Sequence, residues 1–178
     1  MRREIKPTAR YCLSEELMKR LFVLLAGVLT VVASVTVGAG QADAGPLQQL
    51  NTNGNTFGTF GDHSLCRGAI TYRIDSVAKK RGLVKVTATS HGFLGEGAGW
   101  KKNPRCRVLF KTEIHSGRGL FLEKWTTGSF GPRAGEKKVW DVLTGSGPGY
   151  IGITTYAVNS PVRIPQSPAG PAFFMIVP

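Results

Sequence analysis

The sequence predicts an all-β domain, an antiparallel β-sandwich of immunoglobulin-like type or a small barrel, preceded by a signal-peptide helix. Three observations predict it. Apolar residues recur with a period of two in several short runs, such as Ile70, Tyr72 and Ile74, and again Val84, Val86 and Ala88. Glycine- and proline-containing turn signals separate those runs at regular intervals. After the N-terminal stretch, no segment carries a helical apolar stripe with caps.

That N-terminal stretch has the order of an export signal. Lys19 and Arg20 precede the uncharged apolar run from Leu21 to Val37, and small residues follow, ending in Ala42-Asp43-Ala44. A charged region, an apolar core and an A-x-A site predict cleavage after Ala44, leaving residues 45–178 as the domain. Glu4, Glu15 and Glu16 suit such a signal poorly, whereas Met18-Lys19-Arg20-Leu21 would be an ordinary start. Translation is therefore expected to begin at Met18. The export signal places the domain outside the cytoplasm, secreted or held in the cell envelope.

The elements follow in order. Phe57 to Phe60 opens the domain as a short edge strand. Ala69 to Val77 and Leu83 to Thr89 alternate on either side of the basic turn Lys79-Lys80-Arg81-Gly82, a hairpin pattern. A glycine-rich loop runs from Gly92 to Trp100. Arg105 to His115 is the next strand, with Cys106, Val108, Phe110, Thr112 and Ile114 on one face. Leu120 to Thr127, Lys137 to Leu143 and Tyr150 to Val158 follow, the last after the turn Gly145 to Gly149. A segment with Pro161, Pro165, Pro168 and Pro171 runs extended, and Ala172 to Val177 closes the fold.

Cys12 falls in the part expected to be removed, which leaves Cys66 and Cys106. Two cysteines in an exported chain predict one disulfide, and Cys106 on the inward face suits a buried one. The 178-residue chain has 23 Lys and Arg against 11 Asp and Glu, a net charge of +12. Six of those cations and four of those acids lie in residues 1–44, so the domain retains 17 cations, seven acids and a charge of +10. Such a surface favours an anionic partner, an envelope polymer or a lipid surface. No specific nucleic-acid motif accompanies it, and the oligomeric state is left open.

Catalytic and cofactor chemistry finds little purchase. Gly145-Ser146-Gly147-Pro148-Gly149 lacks the lysine, the Ser/Thr and the following helix of a phosphate loop. His63, His91 and His115 have no zinc-ligand spacing. Asp62-His63-Ser64 holds the residue types of a triad, but three consecutive side chains cannot place the base between its partners. His91 and Glu96 share the glycine-rich loop and could do acid–base work, and Glu113 and Glu123 could face each other across a hairpin as a glycosidase pair would need. The preferred reading leaves the first two solvated and sets the second two on the solvated face beside Lys111 and Lys124. The expectation is a non-catalytic binding or structural protein without cofactor or metal; the alternative is a secreted hydrolase acting on cell-wall or lipid substrates. The candidate interaction loop is residues 92–105. Phe93, Leu94 and Trp100 are its large apolar groups, with Lys101, Lys102 and Arg105 beside them. Exposed, they suit an anionic amphiphilic surface; the other reading is that Phe93 and Trp100 fold back to cap the sandwich core.

Three segments carry a resemblance: Thr89-Ser90-His91-Gly92-Phe93, Phe130-Gly131-Pro132-Arg133-Ala134-Gly135-Glu136-Lys137, and Thr155-Tyr156-Ala157-Val158-Asn159-Ser160-Pro161-Val162-Arg163. Together they resemble a group of small secreted proteins of mycolic-acid-containing actinobacteria, over most of residues 45–178 and including both cysteines. The resemblance implies an exported, envelope location. It brings no catalytic residues with it.

Overall fold

The structure is a computed structural model that describes residues 45–178 except 46, 48, 52, 160 and 168. The export signal, the start at Met18, the cleavage after Ala44, Cys12 and Pro168 lie outside the described residues.

Two antiparallel sheets pack face to face, as an all-β sandwich requires, so the barrel alternative is set aside. One sheet has four strands in the order β2-β3-β4-β7: β2 (Thr56–Phe60), β3 (Arg67–Val77), β4 (Lys80–Leu94) and β7 (Lys137–Leu143). The other has five in the order β1-β9-β8-β5-β6: β1 (Gln49–Asn51), β9 (Ala172–Val177), β8 (Gly147–Tyr156), β5 (Cys106–Ser116) and β6 (Phe121–Phe130). A short helix, α1 (Gly97–Lys102), links β4 to β5 across the sheets.

The period-two pattern is what builds the core. Ile70, Tyr72 and Ile74 of β3 and Val84, Val86 and Ala88 of β4 point inward and are fully or almost fully buried. Opposite them stand Val108, Phe110 and Ile114 of β5 and Ile151 and Ile153 of β8. Phe110 lies at the centre, edge-on to Tyr72 and Phe130 and stacked at 5.2 Å on Trp140. Trp140 donates its indole N–H to Thr112 Oγ1 at 3.2 Å, so its one polar atom is satisfied inside the core. Burial also pushes the Tyr72 phenol above its ordinary pKa.

The predicted disulfide forms. Cys66, just ahead of β3, and Cys106, at the start of β5, are bonded with their Cα atoms 5.8 Å apart and both buried. Because β3 and β5 belong to different sheets, the bridge clamps one end of the sandwich.

Several boundaries differ from the sequence expectation. The hairpin turn is centred on Ala78 and Lys79, with Lys79 at φ +60°, and Lys80 already belongs to β4. Strand β4 runs on to Leu94, so the expected glycine-rich loop begins later than Gly92 and folds into α1 instead of staying irregular. Strand β8 starts at Gly147, inside the expected turn, and ends at Tyr156. Strand β1 was not anticipated: three residues carry no readable period, and pairing to β9 supplies what the local sequence does not.

Candidate functional site

Antiparallel pairing gathers the predicted loop residues at the disulfide end. The register brings Arg67 opposite Leu94 and Cys106 opposite Phe130. It does not expose all of them. Phe93 leaves the candidate interaction loop and takes its other reading, as a cap of the core: it is fully buried, stacked on Phe130 with ring centroids 5.5 Å apart. The β-bulge at His91 and Gly92 decides this: one extra residue on β4 reverses the parity, so that Phe93 and not Gly92 follows Ala88 and Ser90 inward. Trp100 is also turned back. It is half-buried against the core, and its ring covers Gly95, where a β-carbon would fall 2.5 Å from it. Neither ring is an apolar tip for a partner.

What stays outside is Leu94, 65 % exposed, with Lys101 and Lys102 on α1 and Arg105 beyond it. Arg105 is held by Glu136 at 2.8 Å and by the Ser129 carbonyl at 2.7 Å. Lys101 and Lys102 make no ion pair among the described residues and lie in the last turn of α1.

A residue the sequence did not announce joins them. Leu65 is 66 % exposed and stands at φ +48°, next to Ser64 at φ +53°. The Cys66 N–H donates to the His63 carbonyl at 2.9 Å, closing a tight turn with two left-handed central residues. For a branched, non-glycine residue that conformation costs about 1–2 kcal/mol. Exposing a leucine there adds no packing in return. Backbone held in such a state marks a place where the surroundings over-determine the loop. The disulfide at Cys66 fixes one side, the Glu96 N–H donates to the Ser64 carbonyl at 2.8 Å, and Arg67 reaches both the Leu65 carbonyl and Glu96. The signal that could have found Leu65 is only its isolation, a single leucine in the polar run Gly61 to Ser64 just before a cysteine. Beside it, a groove of about 470 Å³ between β2 and the proline-rich segment is lined by Phe57, Phe60 and Arg67.

The loop is locked from below by Asp62 and His63. Asp62 accepts the Arg107 N–H and the Arg107 Nε–H, each at 2.9 Å, and pairs with His63 Nδ1 at 2.8 Å. His63 Nε2 faces the Asn103 carbonyl at 3.1 Å. Burial opposes the charge on Asp62, yet the hydrogen bonds from Arg107 and His63 outweigh it and hold the carboxyl below its usual range. The bond to Asp62, then that to the Asn103 carbonyl, raises the His63 pKa against a smaller desolvation. Both ring nitrogens face acceptors, which only the doubly protonated imidazolium can satisfy. No ring nitrogen is left to act as a base on Ser64. The Asp62, His63 and Cys66 donor atoms lie within 4.8 Å of one another, but the sulfur is committed to the disulfide and offers no thiolate to a metal.

The remaining candidates are dispersed. His91 Nε2 is hydrogen-bonded to Thr71 Oγ1 at 2.6 Å on the outer face of the four-stranded sheet, and Glu96 pairs with Arg67 at the disulfide end. Glu113 and Glu123 are direct cross-strand partners, and Lys111 sits between them, bonded to Glu113 and 3.5 Å from Glu123. The bond to Glu113 raises the Lys111 pKa further. Lys124, on the opposite face of β6, donates to the Asp141 carbonyl. His115 lies between Phe121 and Tyr150 at 4.8 Å and 5.6 Å.

Among the described residues no helix is long and apolar enough to cross a membrane. No family model, no curated protein and no solved structure matches the chain.

Proposed function

We propose that this is a non-catalytic, exported binding protein that docks on an anionic lipid surface of the cell envelope through the disulfide end of its sandwich. One observation carries the proposal: Leu65 is displayed in a strained, thoroughly braced turn, in the same end region as exposed Leu94 and as Lys101 and Lys102, which make no ion pair among the described residues. A fold that only needed to close the loop would place glycine or asparagine at that backbone position.

The energetics suit reversible docking. A lysine near an anionic leaflet contributes about 1 kcal/mol. A leucine transferred fully from water contributes about 1.5–3 kcal/mol. Two of each outweigh part of the association cost and leave an affinity that depends on salt. The disulfide is compatible with an oxidising location, and the N-terminal signal pattern supports export.

Co-sedimentation with phosphatidylglycerol-containing vesicles tests this. Binding is expected at ~0.05 M salt and is expected to fall severalfold at ~0.5 M, with little binding to phosphatidylcholine alone. Equal binding to both vesicle types, or none at low salt, contradicts it. Retention on isolated cell-wall polymer but not on vesicles would identify a polymer in place of the lipid. Edman sequencing of the protein recovered from the envelope tests export separately, with Gly45 expected at the N-terminus.

A further inference from the structure

The outer faces of the two sheets differ in kind. On the four-stranded sheet the outward positions are mostly polar, among them Thr56, Thr71, Arg73, Lys85, Thr87 and Thr89, with exposed Val139 and Leu143 of β7 as apolar exceptions. On the five-stranded sheet one row is apolar or aromatic from edge to edge. Leu50 of β1 pairs with Phe174 of β9, Phe174 with Tyr150 of β8, Tyr150 with His115 of β5, and His115 with Phe121 of β6. The rings are in contact, Phe174 to Tyr150 at 5.1 Å, Tyr150 to His115 at 5.6 Å and His115 to Phe121 at 4.8 Å. At the usual strand spacing the row spans about 19 Å. Leu50 is 73 % exposed, Phe174 51 % and Phe121 54 %, and Ile176, one step along β9, is 65 % exposed.

Leu50, Phe174, Tyr150 and His115 of this row floor a groove of about 680 Å³ that runs from Leu50 to the β5–β6 turn at Ser116 and Gly117. The volume is that of a small-molecule site. Among the described residues, free cations lie at the end of the sandwich beside the groove. Arg118 projects from the β5–β6 turn, and Lys79, Lys80 and Arg81 flank the end of β9, because the Gly82 N–H donates to the Pro178 carbonyl at 3.0 Å. These four cations are exposed and make no ion pair among the described residues. Glu113 and Glu123, one row further in, are already tied to Lys111.

A largely apolar floor with Arg118 beside its Gly117 end fits a single hydrocarbon chain bearing an anionic head. We propose that the outer face of the five-stranded sheet binds one monomeric long-chain carboxylate, its chain lying across Tyr150, Phe174 and Leu50 and its head at Arg118. The strand registers place this groove at the end of the sandwich opposite the disulfide, so the proposal is independent of the docking surface above.

Calorimetric titration with oleate below its micelle-forming concentration tests it, with sedimentation velocity on the same samples. Saturable binding of one oleate per chain is expected. Phe174→Asp and, separately, Leu50→Asp are exposed replacements expected to keep the unfolding temperature and to weaken binding at least about tenfold. Arg118→Ala is expected to weaken oleate binding severalfold and leave oleyl alcohol unchanged. Leu65→Ser, at the other end, is expected to leave oleate binding intact. Absence of saturable binding, or oleate affinity unaffected by Phe174→Asp, overturns the proposal. A dimer in sedimentation that Phe174→Asp dissociates also overturns it, because the face would then be occupied by a second copy.

Discussion

Gly61 is backed directly onto the Cys66–Cys106 bridge. A β-carbon at Gly61 would collide with the Cys106 sulfur and fall 2.7 Å from Cys66 Sγ and 2.9 Å from the Arg107 carbonyl. The residue that leads into the Asp62–His63 loop therefore has to lack a side chain for the disulfide to close. Gly61→Ala is expected to cost at least the ~1–3 kcal/mol of an overpacked core site. Gly58→Ala, whose nearest contact would be an ordinary 3.9 Å, is the control and is expected to change stability little. Urea unfolding of both variants checks the contrast.

The stacking of Phe93 on Phe130 separates two neighbours that look alike in the sequence. Phe93→Ala is expected to destabilise the protein by about 3–5 kcal/mol, the cost of emptying a buried aromatic site. Leu94→Ala, at an exposed position, is expected to stay within about 0.5 kcal/mol of the parent. Thermal and urea unfolding report both; similar losses in the two variants would contradict the burial of Phe93.

That pair also shows how far the sequence could be read. The sandwich, the inward faces of β3, β4 and β5, and the disulfide were legible because period-two alternation and a cysteine pair are local signals. Strands β7 and β9 have the expected bounds for the same reason. Phe93 and Trp100 could be read from the sequence either as exposed tips or as caps of the core, and local composition did not decide between the two. Glycine-rich composition around them indicates a loop, while the approach of the Trp100 ring to Gly95 is a tertiary fact. Leu65 in a left-handed turn carries no composition signal, since leucine is not a turn former. The row from Leu50 to Phe121 is written across five strands, spread between β1 and β9, and becomes visible only once their registers are known.

His63 gives a pH dependence with a definite sign. Its pKa is raised in the folded protein, so its contribution to stability is complete below the unfolded value of about 6.5 and is lost as pH rises through the folded value. Asp62 is lowered, so its contribution is present above its unfolded pKa and is lost as pH falls through the folded one. The His63 imidazole resonance in an NMR titration is expected to have its midpoint above about 6.5. In Asp62→Asn that midpoint is expected to move down. A midpoint at or below the ordinary value would contradict the Asp62–His63–Asn103 arrangement.

Leu65→Gly should separate stability from binding. Glycine accepts φ +48° without strain, and little apolar burial is lost at a residue 66 % exposed. Unfolding stability is expected to hold or rise by up to about 1 kcal/mol. Vesicle affinity is expected to fall in the same variant, where a purely structural role for Leu65 would lower stability and leave affinity alone.

The central claim is that the disulfide end is the docking surface, and one comparison bears on it most directly. Binding of the Leu65→Ser/Leu94→Ser/Lys101→Glu/Lys102→Glu variant to phosphatidylglycerol-containing vesicles is measured beside the parent, with the unfolding midpoint of each recorded. The account predicts an unfolding midpoint close to the parent's and a loss of vesicle binding of at least about a hundredfold. Retention of parental binding by a folded variant would contradict it.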